Sequence, residues 1–128
     1  MTEIGGVVFI NDSKATNVDS AMKALATFSK VRWICGGEQK EEDISRLNNA
    51  LTNVKKAYVI GANTEKFSSQ ISCEFENCNT MDVAVQKAFR DAQAGDTVLL
   101  APAAASFDQY GSFEERGQAF EHEIKKLA

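Results

Sequence analysis

The stretch Val7-Val8-Phe9-Ile10-Asn11-Asp12-Ser13-Lys14-Ala15-Thr16-Asn17 decides how the rest of the chain is read. Its first four residues are apolar and mostly β-branched, which suits a buried strand. Residues 17–28 then carry apolar groups at helical spacing: Ala21, Leu25 and Phe28 fall on one face, with Met22 beside them. Between strand and helix lie one carboxylate, two hydroxyls, one ammonium and two carboxamides, with no bulky apolar group. A strand, a polar turn and a helix start aim backbone N–H groups and a helix N-terminus at whatever binds there. The same residues also make an ordinary capped turn, with Thr16 or Asn17 as N-cap and Asp19 completing a capping box with Thr16.

Strand and helix signals alternate beyond this unit. Val31–Cys35 is a short apolar run ending in Gly36-Gly37. Ile44, Leu47 and Leu51 suggest a second helix, and residues 57–60 a strand ending at Gly61. Residues 65–71 read as a weak helix and residues 73–75 as a short strand. Met81, Ala84, Val85, Ala88, Phe89 and Ala92 give the clearest helical face, with Thr80 as N-cap and Gly95 just past the end. Residues 97–101 suit a buried strand. Phe113, Gly117, Phe120, Ile124 and Leu127 line a last helix, with Lys125 and Lys126 at its negative end.

This alternation predicts the α/β class: a Rossmann-like, mostly parallel sheet with helices on both faces, in a single three-layer domain over residues 1–128. Ligands of such sheets bind at the carboxyl ends of strands, near a topological switch point. The loops expected there are residues 12–17, Gly36 to Lys40, Gly61 to Thr64 and Pro102 to Asp108. Most carry polar groups suited to a ligand.

Composition narrows the class. A chain of 128 residues, 44% hydrophobic and 25% charged, fits one globular domain. A net charge of -4 and no basic tract disfavour a nucleic-acid partner. No window approaches the ~20 apolar residues that span a bilayer, and no signal peptide opens the chain, so no membrane partner is expected. Cys35, Cys73 and Cys78 form no C-x-x-C pair, which fits a reduced, cytoplasmic protein and no metal site. The only histidine, His122, falls in a polar helical stretch and reads as surface, so Ser106 has no partner for a Ser-His-Asp triad.

The string at residues 11–17 resembles the opening of the C-terminal domain of the Mur ligases that add D-glutamate. Gly36-Gly37-Glu38-Gln39-Lys40 resembles the same family, as does Ser106-Phe107-Asp108-Gln109 followed by Phe113-Glu114-Glu115-Arg116-Gly117. The resemblance runs from residue 5 to the end; Ala104 departs from it, since many relatives have cysteine there. It implies that Lys40, Ser106 and Phe113 bind D-glutamate, and that Asp12, Lys14 and Thr16 lie at the nucleotide. The residue chemistry is compatible with these roles. A Gly-Gly turn lets backbone approach a ligand, and Lys40 supplies a mobile charge, though a solvated lysine in a charged loop is the plainer reading. Asp12 can accept from ribose hydroxyls, and Lys14 can offset phosphate charge. Ser106 also suits a cap or a turn, and Arg116 can pair with Asp108 to hold the loop.

The family's reaction activates the L-alanine carboxylate of UDP-N-acetylmuramoyl-L-alanine with ATP, and D-glutamate then adds. No G-x-x-x-x-G-K-[ST] loop and no second carboxylate set for Mg²⁺ occur in the sequence. The resemblance assigns ATP and Mg²⁺ to a central domain and the muramyl nucleotide to an N-terminal one. Met1 before Thr2-Glu3 reads as a truncation start. The expectation is an isolated C-terminal domain with no catalytic residue of its own, inactive alone. Two other readings are weaker. A receiver-like module would need paired carboxylates after the first strand, where only Asp12 stands. A folate polyglutamate synthetase shares the domain plan but not the string at residues 11–17.

Overall fold

The computed structural model describes residues 1–39 and 41–127. In chain order the elements are β1 (Thr2–Ile4), β2 (Val7–Asn11), α1 (Val18–Thr27), β3 (Val31–Cys35), a 3-10 helix (Ser45–Ala50), β4 (Val54–Ile60), α2 (Thr64–Ser68), β5 (Phe75–Asn79), α3 (Met81–Asp91), β6 (Thr97–Leu100) and α4 (Phe113–Leu127). The strands form one six-stranded sheet in the order β1-β2-β6-β3-β4-β5. Only β1 runs antiparallel to its neighbour; every other pair is parallel.

The two-residue period of a strand divides the apolar runs between two cores. Val31, Trp33 and Cys35 of β3, Ala57 and Val59 of β4, and Leu99 of β6 face Val18, Ala21 and Leu25 of α1, Leu47 of the 3-10 helix, and Phe67 of α2. Ile34, Tyr58, Ile60, Val98 and Leu100 point the other way, onto Met81, Ala84, Val85 and Ala88 of α3 and Phe120 and Ile124 of α4. The result is the expected three-layer α/β arrangement. Burying Trp33 leaves its indole N–H to be satisfied, and it donates to the Ala101 carbonyl at 2.8 Å.

Several boundaries differ from expectation, each for a local reason. The hairpin of β1 with β2 was not expected. Its turn is Gly5-Gly6, at φ +60° and +82°, and a type I′ two-residue hairpin needs positive φ at both positions. β5 lies at Phe75–Asn79 rather than residues 73–75; it is an edge strand that buries only Cys78, so its sequence is largely polar. The second helix is a short 3-10 turn. Gly95 does not cap α3, which ends on an extended Ala92; instead the Gly95 N–H donates to the Gly6 carbonyl at 2.8 Å. Thr80 holds the N-cap position of α3 without a side-chain cap bond.

At the amino ends of the strands, polar groups are paired. The Tyr58 hydroxyl donates to Asp91 at 2.8 Å, and Lys56 bridges Asp91 (3.2 Å) and Glu76 (3.1 Å). Arg32 and Lys55 both hold the buried Asp96.

The topology locates the crevice. From β2 the chain passes through α1 to β3, leaving one place in the sheet. It continues outward to β4 and β5, then returns along the opposite face through α3 to fill that place with β6. Progress across the sheet reverses beside β6, so the loops leaving β2 and β6 flank a switch-point crevice.

Candidate functional site

The turn after β2 is built by its own side chains. The Asn11 Oδ1 accepts from the Ser13 N–H at 3.1 Å, and its Nδ2 donates to the Gly117 carbonyl at 3.3 Å and to Glu121 at 2.7 Å. A Cβ on Gly117 would lie 2.9 Å from that nitrogen, so glycine admits α4 this close. The Ser13 hydroxyl, 5% exposed, donates to the Phe113 carbonyl at 2.6 Å and accepts from Arg116 Nε at 3.1 Å. Arg116 is 1% exposed and donates again to the carbonyls of Ser13 (2.8 Å) and Ala104 (2.9 Å). Burial pulls its pKa down to about 10, which leaves it charged at neutral pH. The expected Arg116–Asp108 pair is not formed. Asp108 accepts instead from the Ala62 N–H at 2.9 Å, and Arg116 donates to the turn and to the Ala104 carbonyl.

The start of α1 is also taken. Asn17 is the N-cap, accepting from Ser20 N–H at 2.8 Å, and Glu41 accepts from Val18 N–H at 3.0 Å. The Thr16–Asp19 capping box does not form; Asp19 pairs with Arg46 at 2.8 Å. The first free N–H groups of α1 are thus held by the chain's own Asn17 and Glu41.

Gly36-Gly37 lets neighbouring backbone segments approach closely. A Cβ on Gly36 would fall 2.3 Å from the Ile60 carbonyl, and one on Gly37 would fall 2.4 Å from the Ala105 carbonyl. Neighbouring backbone comes close there. Glu38 and Ala105 exchange two backbone bonds of 2.8 Å, which ties the loop after β3 to the loop after β6 next to Ser106.

Two cavities open on the crevice. One of about 380 Å³ is lined by Asn11, Ser13, Lys14, Phe113 and residues of α4. The other, about 680 Å³, is lined by Asp12, Lys14 and Phe113 with an apolar wall of Ile10, Ala15, Ala24 and Phe28. The fold therefore brings Asp12, Lys14 and Phe113 together. Among the described residues, the Asp12 carboxylate and the Lys14 ammonium have no side-chain hydrogen bond or ion pair. Phe113 is 40% exposed and opens α4, whose start is capped by the Ser112 hydroxyl, which accepts from the Glu115 N–H at 3.1 Å, while Glu115 accepts from the Gly111 N–H at 2.8 Å.

Thr16 and Ser106 line neither cavity. Ser106 is 2% exposed, and its carbonyl accepts from the Gln109 and Tyr110 N–H groups, making the turn that precedes α4. A third cavity of about 230 Å³ lies where the loops after β3, β4 and β6 meet, lined by Gly37, Glu38, Asn63, Lys66 and Asp108 among others. Lys40 lies outside the described residues. Sequence reasoning missed Ser13 and misassigned Arg116; the signal was an arginine at an apolar helix position, one residue before Gly117.

Among the described residues, no group of three or more His, Cys, Asp or Glu could hold a metal ion. Burial pushes the Cys35 thiol well up, away from the reactive thiolate form. No described helix is long and apolar enough to cross a membrane.

A profile of the family described as "Mur ligase, glutamate ligase domain" matches residues 1–104, most of the chain. The chain belongs to that family. Its similarity to curated Mur ligases extends past the profile's end, through Ser106 and Phe113. It is 58% identical over 126 residues to the UDP-N-acetylmuramoylalanine–D-glutamate ligase of Ruegeria pomeroyi, covering 98% of this chain and 27% of that protein. The enzyme of the same name from Roseobacter denitrificans is 57% identical over 94% of this chain and 26% of its own length. That of Jannaschia sp. is 53% identical over 99% and 28%. The Mur ligase domain thus spans about a quarter of the length of these relatives.

Proposed function

We propose that this Mur ligase domain is the C-terminal, D-glutamate-handling part of a cytoplasmic, ATP-dependent UDP-N-acetylmuramoylalanine–D-glutamate ligase. The observation that carries the proposal is 58% identity, over 98% of the chain, to an enzyme of that name. The reaction joins the L-alanine carboxylate of UDP-N-acetylmuramoyl-L-alanine to the amine of D-glutamate. ATP supplies the phosphoryl group that turns this carboxylate into an acyl phosphate and leaves as ADP; amine attack then forms the amide and releases phosphate and a proton.

The domain's own residues bind, orient and exclude water. Lys40 pairs with one carboxylate of D-glutamate. Ser106 and the N–H groups at Phe113 bond the other, which leaves the amine free to point at the acyl phosphate, an orientation effect. Asp12 accepts from the ribose, Lys14 faces the phosphates, and Thr16 lies beside the nucleotide. The unpaired Asp12 and Lys14 on the crevice support this part of the proposal. The remaining domains hold the muramyl nucleotide, the ATP phosphates and Mg²⁺, and no metal ligand is assigned to this chain. Closure of the crevice over the nucleotide shields the acyl phosphate from water.

A domain exchange tests the proposal. Residues 1–128 replace the matching segment of the Ruegeria pomeroyi ligase, and product is detected by mass with D-glutamate or L-lysine as acceptor. A D-glutamate adduct at near-parent rate is expected. A folded chimera that joins no D-glutamate would refute the assignment.

A further inference from the structure

Arg116 has more buried polar partners than any other charged side chain near the crevice, and they belong to different segments. Its Nε and Nη2 donate to the hydroxyl and carbonyl of Ser13, in the turn after β2. Its Nη1 donates to the carbonyl of Ala104, two residues before Ser106. The same Ser13 hydroxyl donates to the Phe113 carbonyl at 2.6 Å. One further backbone bond, Ala103 N–H to Ala15 carbonyl at 2.8 Å, lies alongside.

From these contacts we infer that Arg116 and Ser13 are positioning residues that couple the two halves of the crevice. Asp12 and Lys14 move with the Ala104–Phe113 loop, so that a ligand on either half strengthens binding on the other. Assignment of the halves to nucleotide and D-glutamate rests on the function proposed above; the mechanical coupling does not.

Ser13 sits between Asp12 and Lys14 in the chain, so a shift of either toward a ligand carries it. Ser13 cannot shift alone, because its hydroxyl and carbonyl are both held by the guanidinium. That group is a rigid planar fork, so its bonds to Ser13 and Ala104 keep a fixed mutual geometry. All of this is buried, where hydrogen bonds are strong and an unmade one is costly. Neither Arg116 nor Ser13 is needed to touch substrate. Coupling of this kind is reciprocal between the two ligands.

Two measurements test it. In the 128-residue chain, amide hydrogen exchange is followed for Arg116→Lys, which keeps the charge but loses the fork, and for Ser13→Ala, which deletes one hydroxyl. Exchange should rise by about tenfold in both residues 12–16 and residues 103–113, and stay unchanged in α3. A rise confined to one segment, or none, overturns the coupling. In the exchanged ligase, each variant should raise the KM for ATP and for D-glutamate together, by roughly threefold to tenfold, with the double variant no worse than Arg116→Lys alone. A lowered Tm with both KM values unchanged, or one KM moving alone, overturns it. The exchange measurement needs no turnover. An inactive parent chimera would therefore count against the proposed function, and a negative exchange result against the coupling.

Discussion

Replacing Gly37 with alanine should destabilise the domain far more than its size suggests. Gly37 has φ +139°, and its added Cβ would stand 2.4 Å from the Ala105 carbonyl oxygen. Holding a non-glycine residue in that conformation costs about 1–3 kcal/mol. The clash is with backbone, so relief requires the loops after β3 and β6 to part. That breaks the two reciprocal Glu38–Ala105 bonds, each contributing about 1 kcal/mol net. The total, about 3–5 kcal/mol, is a large share of the roughly 5–15 kcal/mol that holds a domain together. At about 4 °C per kcal/mol for a chain of this size, Tm should fall by roughly 12–20 °C. Gly5→Ala is the internal control. It has φ +60° but no heavy atom within 4 Å of the new Cβ, so only backbone strain of about 1 kcal/mol remains. The assay is thermal and urea unfolding of both variants beside the parent chain. A Gly37→Ala variant no less stable than Gly5→Ala would refute the claim that the Gly-Gly turn exists to let the loops meet.

In the exchanged ligase, Lys14→Ala should raise the KM for ATP about tenfold, with Lys14→Arg milder because the charge survives; equal KM values for all three would leave the turn without a nucleotide role. Ser106→Ala should raise the KM for D-glutamate by roughly threefold to tenfold, since it deletes a neutral donor, and an unchanged value would leave Ser106 as turn chemistry alone. Asp91 is held well below the ordinary carboxylate range by Arg90 first, with help from the Tyr58 hydroxyl and Lys56. A depressed folded pKa adds stability above the unfolded value of about 3.9 and loses it as pH falls further. Asp91→Asn should therefore destabilise the chain at pH 7 and show a shrinking difference from the parent below about pH 4; a difference independent of pH would contradict this.

The fold was legible because the central strands are apolar on both faces and the helices on one. Runs such as Val31–Cys35 and spacings such as Met81, Ala84, Val85 and Ala88 admit little else. Legibility failed at the edges. β1 has three residues and β5 buries only Cys78, so neither carries a hydrophobic signature, although Gly5-Gly6 was a hairpin signal that could have been used. At the site, Asp12, Lys14 and Phe113 were named by resemblance to Mur ligases, and the fold brings them to one crevice. The supporting contacts were not legible. Ser13 and Arg116 are separated by 103 residues, and a serine in a polar turn looks solvated until its buried partner is known. The glycines were incomplete as a signal for the same reason: sequence shows that backbone can come close, not what it approaches.

The most direct test of the D-glutamate assignment is steady-state kinetics of the exchanged ligase carrying Lys40→Ala, with D-glutamate varied at saturating ATP. A hydrogen bond to a charged group contributes about 1.5–3 kcal/mol, roughly tenfold to a hundredfold in affinity. The D-glutamate KM should rise at least about tenfold, the ATP KM should stay within about twofold of the parent, and Lys40→Arg should rescue incompletely. An unchanged D-glutamate KM in a correctly folded Lys40→Ala variant would contradict the assignment.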